Sequence, residues 1–240
     1  MNPLFSWLRR GGQQAKTDLN SDQSLRLEKL PAPTIGQNSR LREQRLVVLD
    51  LETSGLNMNR DQVLSIGAVV IEQGAIDFSQ MFERTLLRVD HKLSPSVLIH
   101  GLAPSEIASG SDPAEALLEF LEFAAGSPLL AFHAPFDQHM LGRALQDSLS
   151  YPLSGPMLDI AEMAPMLCNH LTLRNAGLDD WTEHFQLHAE QRHHASADAL
   201  VSAELVLILL SYANRQGIED LGELQQRLSQ WRRRQQVALF

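Results

Sequence analysis

The chain has a single cysteine, Cys168, among its 240 residues. An internal disulfide is thereby excluded, and a reducing compartment is the expected setting. A lone cysteine of this kind is expected to be a small core residue and not a nucleophile. No apolar run reaches the ~18 residues of a membrane span. The opening MNPLFSWLRR places a short apolar patch before Arg9 and Arg10. A signal peptide has its charges first and a longer apolar stretch after them. A cytoplasmic protein without a membrane partner is therefore expected. No internal repeat is evident. Basic residues are also few: 20 Lys and Arg against 29 Asp and Glu, a net charge of −9. The deficit is concentrated in residues 46–214, which hold seven basic and twenty-two acidic residues. Such a body argues against a broad basic groove for duplex nucleic acid. It tolerates a site that grips a few terminal nucleotides.

The apolar content, 44%, is ordinary for a globular chain with a sizeable core. Residues 1–44 are polar and irregular and read as an extension, partly disordered. Within it Leu25, Leu27, Leu30 and Ile35 are available to pack on the body. Residues 45–214 read as one domain. LVVLDL, VLSIGAVVIE and IDFSQMFERTLL are strands, with Gly74 at a hairpin turn between the last two. LAPSEIASG is a short helix. DPAEALLEFLEFAAG is a longer one, with Asp112 as N-cap, Pro113 at the first position and Gly126 just past the end. PLLAFH is a short buried strand. PFDQHMLGRAL is helical, with Phe136, Met140, Leu141 and Leu145 on an apolar stripe. DIAEMAPML, LDDWTEHFQL and ASADALVSAELVLILLSYA follow as helices, the last one buried. Residues 215–240 form a basic C-terminal helix and tail. The order predicts an α/β fold, a mixed central sheet flanked by helices.

Four carboxylates stand in three short motifs. VVLDLETSGL carries Asp50 and Glu52, AFHAPFD carries Asp137, and HHASADA carries His193 and Asp198. Residues i and i+2 of a strand point the same way, so Asp50 and Glu52 share one face. Taken singly each motif has an ordinary reading. An acid-x-acid pair can be a solvated strand end. Asp137 and Asp198 sit where helix dipoles favour acids anyway. His133 and His193 can be structural or solvent-exposed. Brought together, the four acids would carry a formal charge of −4, and like charges in a buried site raise each other's pKa. Divalent cations held by carboxylate oxygens resolve that conflict. This is the logic of a two-metal phosphodiesterase.

The combination resembles the DEDDh family of 3′–5′ exonucleases, which includes the proofreading subunit of bacterial DNA polymerase III, ribonuclease T and oligoribonuclease. The first family motif is matched by Asp50, Glu52, Thr53, Gly55 and Leu56. The second is matched by His133, Ala134, Phe136 and Asp137. The third, HxAxxD, is met by His193, Ala195 and Asp198. IHGL around His100 and LDIAEMA around Asp159 also resemble family positions. His194 has the wrong spacing to Asp198 for the family's histidine. The resemblance covers about residues 45–212.

The resemblance implies a ribonuclease-H-like exonuclease fold. It implies that Asp50, Glu52, Asp137 and Asp198 hold two Mg²⁺ or Mn²⁺ ions roughly 3.5–4 Å apart. It makes His193 the general base toward water, suited by an unperturbed pKa of ~6.5. Thr53, Gly55, Leu56, His133 and Phe136 become substrate contacts around the terminal nucleotide. An unpaired 3′ end is preferred, because a base must leave the stack to enter such a pocket. The implied activity is release of nucleoside 5′-monophosphates from single-stranded or frayed DNA 3′ ends, in repair or proofreading. RNA 3′-end trimming is an alternative. A non-catalytic nucleic-acid or replication-clamp binding module is another, opposed by the intact acids. The final residues, Gln236-Val237-Ala238-Leu239-Phe240, resemble the pentapeptide that docks on the bacterial sliding clamp, at Gln236, Leu239 and Phe240. A free tail ending in Leu-Phe offers two apolar anchors. Clamp or polymerase is thus an expected partner beside the nucleic-acid end.

Overall fold

The structure is a computed structural model, and it describes residues 19–33, 40–88, 101–155, 157–171, 173, 176–188 and 194–237. Its centre is a five-stranded sheet. The strands are β1 (Leu46–Thr53), β2 (Val63–Glu72), β3 (Ala75–Thr85), β4 (Leu129–Ala131) and β5 (Leu158–Asp159). Their order across the sheet is β3-β2-β1-β4-β5. β1 pairs antiparallel with β2, and β2 with β3, whereas β4 is parallel to β1 and β5 to β4. The mixed sheet expected from the sequence is therefore present. The β2–β3 hairpin turns through Gln73 and Gly74, at φ of 51° and 71°. Two positive φ values give the right-twisted two-residue turn that a hairpin favours.

β1 decides which face does what. Leu46 and Val48 pack into one core cluster, and Val47, Leu49 and Leu51 into the other. The first cluster is roofed by α7 (Ala195–Arg215), with α5 (Ile160–Leu167), α6 (Leu178–Phe185) and α8 (Leu221–Val237). The second is roofed by α3 (Pro113–Ala124) and α4 (Ala134–Leu149). The short α2 (Pro104–Ala108) packs Ile107 beside Leu64 and Leu102. Asp50 and Glu52 continue the Leu46–Val48 face, so they lie on the side where α7 crosses the sheet.

α7 is 21 residues long, with a mean hydropathy of 1.6 over its most apolar stretch. By length and composition alone it is apolar enough to cross a membrane, but half of that stretch is buried in this fold, as expected of the most apolar core helix. Asp198 and Glu204 interrupt it. Its stripe Ala195, Asp198, Ala199, Ser202, Leu205, Val206, Leu209 and Ala213 is buried on the sheet.

The polar segment before β1 contains a short helix among its described residues. Ser21–Glu28 forms a helix, α1, started by a capping box between Asn20 and Gln23. Arg26 ties it to α3 through Glu122 and Glu115. Leu27 packs against the core, but Leu25 is 48% exposed, contrary to expectation. Ile35 and residues 1–18 lie outside the described residues. The capping box and the pairing of Arg26 with Asp22, Glu115 and Glu122 add to the packing of Leu27, and hydrophobic periodicity registers neither.

Candidate active site

The acids converge at the C-terminal end of β1. One carboxylate oxygen each from Asp50, Glu52 and Asp198 lies within 4.8 Å of the others. Asp50 and Glu52 are half-buried and Asp198 is buried. A β-bulge between Glu52 and Thr53 ends the regular β1–β2 register just past them. Bulges next to a site re-aim side chains.

Asp137 and Asp198 arrive by the same device. Each is the fourth residue of its helix, α4 or α7, and each lies on the stripe that faces the sheet. Each helix therefore points its N-terminus, the positive end of its dipole, at the acids. Asp137 is only 5% exposed. Its carboxyl is held well above the ordinary value of 3.8, first by burial and then by the charge of Asp50. The charge of Asp159 pushes the same way, while hydrogen bonds from the backbone amides of Asp137 and Leu51 pull against the shift. Three carboxylates within 4.8 Å of one another, and a fourth raised by the charge of Asp50, are an electrostatic conflict of the kind that cations relieve.

A glycine makes the arrangement possible. Gly67 on β2 pairs with Asp50 across the ladder. A Cβ on Gly67 would lie 2.1 Å from the Ala195 carbonyl carbon and 2.2 Å from the Ser196 nitrogen. The first turn of α7 thus rests on bare backbone beside Asp50, three residues before Asp198. The sequence signal was available: a glycine inside a strand pattern marks close backbone approach. Asp159 was noticed only as part of a resemblance. It is buried, and its Oδ1 accepts the His133 and Ala161 amides, each at 3.0 Å. His133 stands at φ 65°, a left-handed conformation uncommon for a side-chain-bearing residue. Asp159 therefore pins the turn that launches the helix of Asp137.

The expected substrate contacts have mixed fates. Leu56 is 85% exposed beside the acids' strand and is open to a ligand. Thr53 is buried and donates its hydroxyl to the Gly55 carbonyl at 2.9 Å. Gly55 leaves room for Asp61, whose Oδ2 would lie 2.5 Å from an added Cβ. Asp61 in turn accepts from the Ser54 hydroxyl and the Asn57 amide, fixing the loop. His133 is exposed and its ring meets Phe132 edge-on at 4.8 Å. Phe136 packs partly against the core.

His193, the expected base, and His100 lie outside the described residues, as do Leu239 and Phe240. His194 is the N-cap residue of α7, and its Nδ1 meets Glu83 of β3 at 3.3 Å. That outward engagement agrees with its exclusion by spacing. Gln236 and Val237 are corrected in one respect. They form the last turn of α8 instead of opening a free tail. Both are exposed.

Comparison with known proteins agrees with this geometry. The family model described as an exonuclease, of the ribonuclease T type, matches residues 47–206. The chain is 30% identical over 192 residues to a PolC-type DNA polymerase III of Thermotoga maritima, across 80% of this chain and 14% of that one. It is 28% identical over 190 residues to the Caldanaerobacter subterraneus subsp. tengcongensis counterpart, across 79% and 13%. The chain thus spans only about a seventh of these relatives. In structure it is similar to E. coli exonuclease I in complex with a dT13 oligonucleotide. The TM-score is 0.58 at 15% identity, covering 72% of this chain and 42% of that one. It is also similar to the cell-death related nuclease 4, with a TM-score of 0.59 at 11% identity, covering 70% and 64%. The mixed sheet flanked by helices is the fold that the resemblance implied, and the chain belongs to the DEDDh-type 3′–5′ exonuclease family.

Proposed function

We propose that this chain removes nucleotides one at a time from the 3′ ends of single-stranded or frayed DNA, releasing nucleoside 5′-monophosphates, in repair or proofreading. One observation carries the reading: Asp50, Glu52 and Asp198 meet within 4.8 Å, with buried Asp137 beside Asp50. The donor set is all carboxylate oxygen, which suits Mg²⁺ or Mn²⁺ and not softer metals. Asp50, Glu52, Asp137 and Asp198 would hold two such ions. When bound, they supply Lewis acidity to the phosphodiester and acidify a water.

The chain's own residues do the rest. The dipoles of α4 and α7 offset part of the acids' repulsion. Leu56, exposed at the mouth, offers an apolar surface to the terminal nucleotide. His193, two residues before α7, accepts the proton of the attacking water. The likeness to exonuclease I with dT13, and to the PolC-type polymerases, supports DNA as substrate and a polymerase as partner. Clamp docking through Gln236, Leu239 and Phe240 is a separate proposal. It is tested by calorimetry with purified clamp, with and without residues 236–240. Equal affinity for both forms removes it.

The deciding experiment offers 5′-labelled single-stranded DNA and RNA to the protein with Mn²⁺, Mg²⁺ or EDTA. A ladder shortening from the 3′ end, on DNA and only with metal, is expected. A faster RNA ladder moves the assignment to RNA trimming. No product on either substrate with either metal leaves a binding module instead.

A further inference from the structure

Away from the acids, a cavity of about 210 Å³ opens between α4, the start of β2 and the N-terminus of α3. Beside Ser148, its α4 wall includes Met140, Arg143, Ala144 and Asp147. These residues stand at i+3, i+6, i+7 and i+10 from Asp137, so they continue the face on which that acid lies. Arg143 is about 9 Å along the helix axis from Asp137 at ~1.5 Å per residue. The β2 wall, Gln62 and Val63, follows the loop that leaves Glu52 and Thr53. Val63 itself pairs with Thr53. The cavity is thus joined to the acidic site along α4 and through the pairing of Val63 with Thr53.

Two guanidiniums line it. Arg88 is half-buried and donates Nε and Nη2 to the Val63 carbonyl, at 3.2 and 2.9 Å. Arg143 donates Nη1 to the Met58 carbonyl at 2.6 Å. A guanidinium has five N–H donors, so each retains several beyond these bonds. Among the described residues neither meets a carboxylate within salt-bridge distance. Two acids face the cavity. Asp112 is engaged as the N-cap of α3, accepting from the Glu115 amide, and Asp147 is exposed on α4. Arg88 is pushed below its ordinary pKa first by burial and then by the charge of Arg143, with Asp147 acting in the opposite sense.

We propose that this cavity is a phosphodiester subsite, in which Arg143 and Arg88 hold a backbone phosphate of the strand upstream of the terminal nucleotide. The inference rests on the exonuclease reading and extends it. Paired guanidiniums match a phosphate's oxygens through several donors at once. A phosphate here would add a counter-charge to two guanidiniums that, among the described residues, make no salt bridge. It gives an acidic body, poor in long-range attraction for DNA, a local grip close to the cleavage site. Contacts to phosphate carry no base information, so sequence tolerance follows.

The test uses oligothymidylates of two, four and six nucleotides with Mn²⁺. For the unaltered protein, KM should fall as the chain grows from two to four nucleotides and then level. Arg143→Ala should erase that fall, raising KM on the longer chains about tenfold, the scale of one charge-assisted hydrogen bond. The effect on kcat should be small. The slope of log kcat/KM against log salt should flatten by about 0.7, one phosphate contact to a single strand. Arg143→Lys should keep the salt slope and recover part of the affinity. Arg143 also holds the Met58 carbonyl, so Arg143→Gln, which keeps a donor there without the charge, is run beside Arg143→Ala and should flatten the salt slope as that variant does. Arg88, with two bonds to the Val63 carbonyl, is left intact. An unchanged length dependence in Arg143→Ala, or equal losses at all three lengths, overturns the subsite. If the unaltered protein cleaves none of these chains, the exonuclease reading fails separately. The same length series read by fluorescence anisotropy with Ca²⁺ then decides the subsite without turnover.

Discussion

Asp137 is the residue whose environment is most at odds with its charge. Burial and Asp50 raise its pKa, so the folded protein holds a proton that the unfolded chain releases from 3.8 upward. The metal-free protein must therefore lose stability as pH rises from that value toward the raised one, because the folded state binds more protons in that window. Thermal melting with EDTA across this range should show the fall. Asp137→Ala should remove it and abolish hydrolysis together, and Mn²⁺ should restore stability only to the unaltered protein. Near-normal turnover of Asp137→Ala at saturating Mn²⁺ would sink the four-carboxylate site. His193→Ala should cost roughly 10²–10⁴ in rate, the scale of a general base. His194→Ala should be much milder, since its ring engages Glu83. Steady-state assays of the pair check the register, and reversed severities would show that it is wrong. Cys168 is inert by the same logic: burial raises its thiol to about 11.

At the scale of elements, the site depends on how closely α7 approaches β2. Gly67→Ala puts a methyl into the backbone of Ala195 and Ser196. Overpacking of this kind costs about 1–3 kcal/mol. The helix start should lift and carry Asp198 with it. Thermal melts and metal-dependent turnover, compared with Val69→Ala at another buried position of the same strand, separate the two effects. Gly67→Ala should lose far more activity than a control with equal loss of stability. Equal activities at equal stability would mean that Gly67 serves packing alone. α1 is a second case. Asn20→Ala removes the capping-box acceptor and should cost about 1 kcal/mol. Protease cutting within Ser21–Glu28 should then precede global unfolding, and a single cooperative loss would contradict a peripheral α1.

For the whole molecule, charge sets the mode of attack. Residues 46–214 carry a net −15, so binding to long duplex should be weak and a free end necessary. A circular single strand should persist under conditions that consume its linear form. Gel analysis of the two, side by side, checks this, and equal consumption would mean endonucleolytic cutting.

Much of this protein was legible in local pattern. β2 spans Val63–Glu72, the run that the sequence marked as a strand, because a continuous apolar stretch closed by Gly74 admits little else. Asp112 caps α3 as its side chain and the following Pro113 dictate. The i, i+2 spacing alone put Asp50 and Glu52 on one face. What remained hidden needs long-range proximity. No local signal told α1 that Glu115 and Glu122 would be there to hold Arg26, some ninety residues away. Nothing in the spacing of HHASADA says that the next helix must sit on Gly67, or that Asp198 then comes within 4.8 Å of Asp50. The Arg88–Arg143 cavity is of the same kind, for its two cations come from distant segments. Sequence determines periodicity, caps and turns because those forces act over a few residues. Only the tertiary fold decides which charges share a space, because burial and Coulomb interaction depend on distance through the molecule and not along the chain.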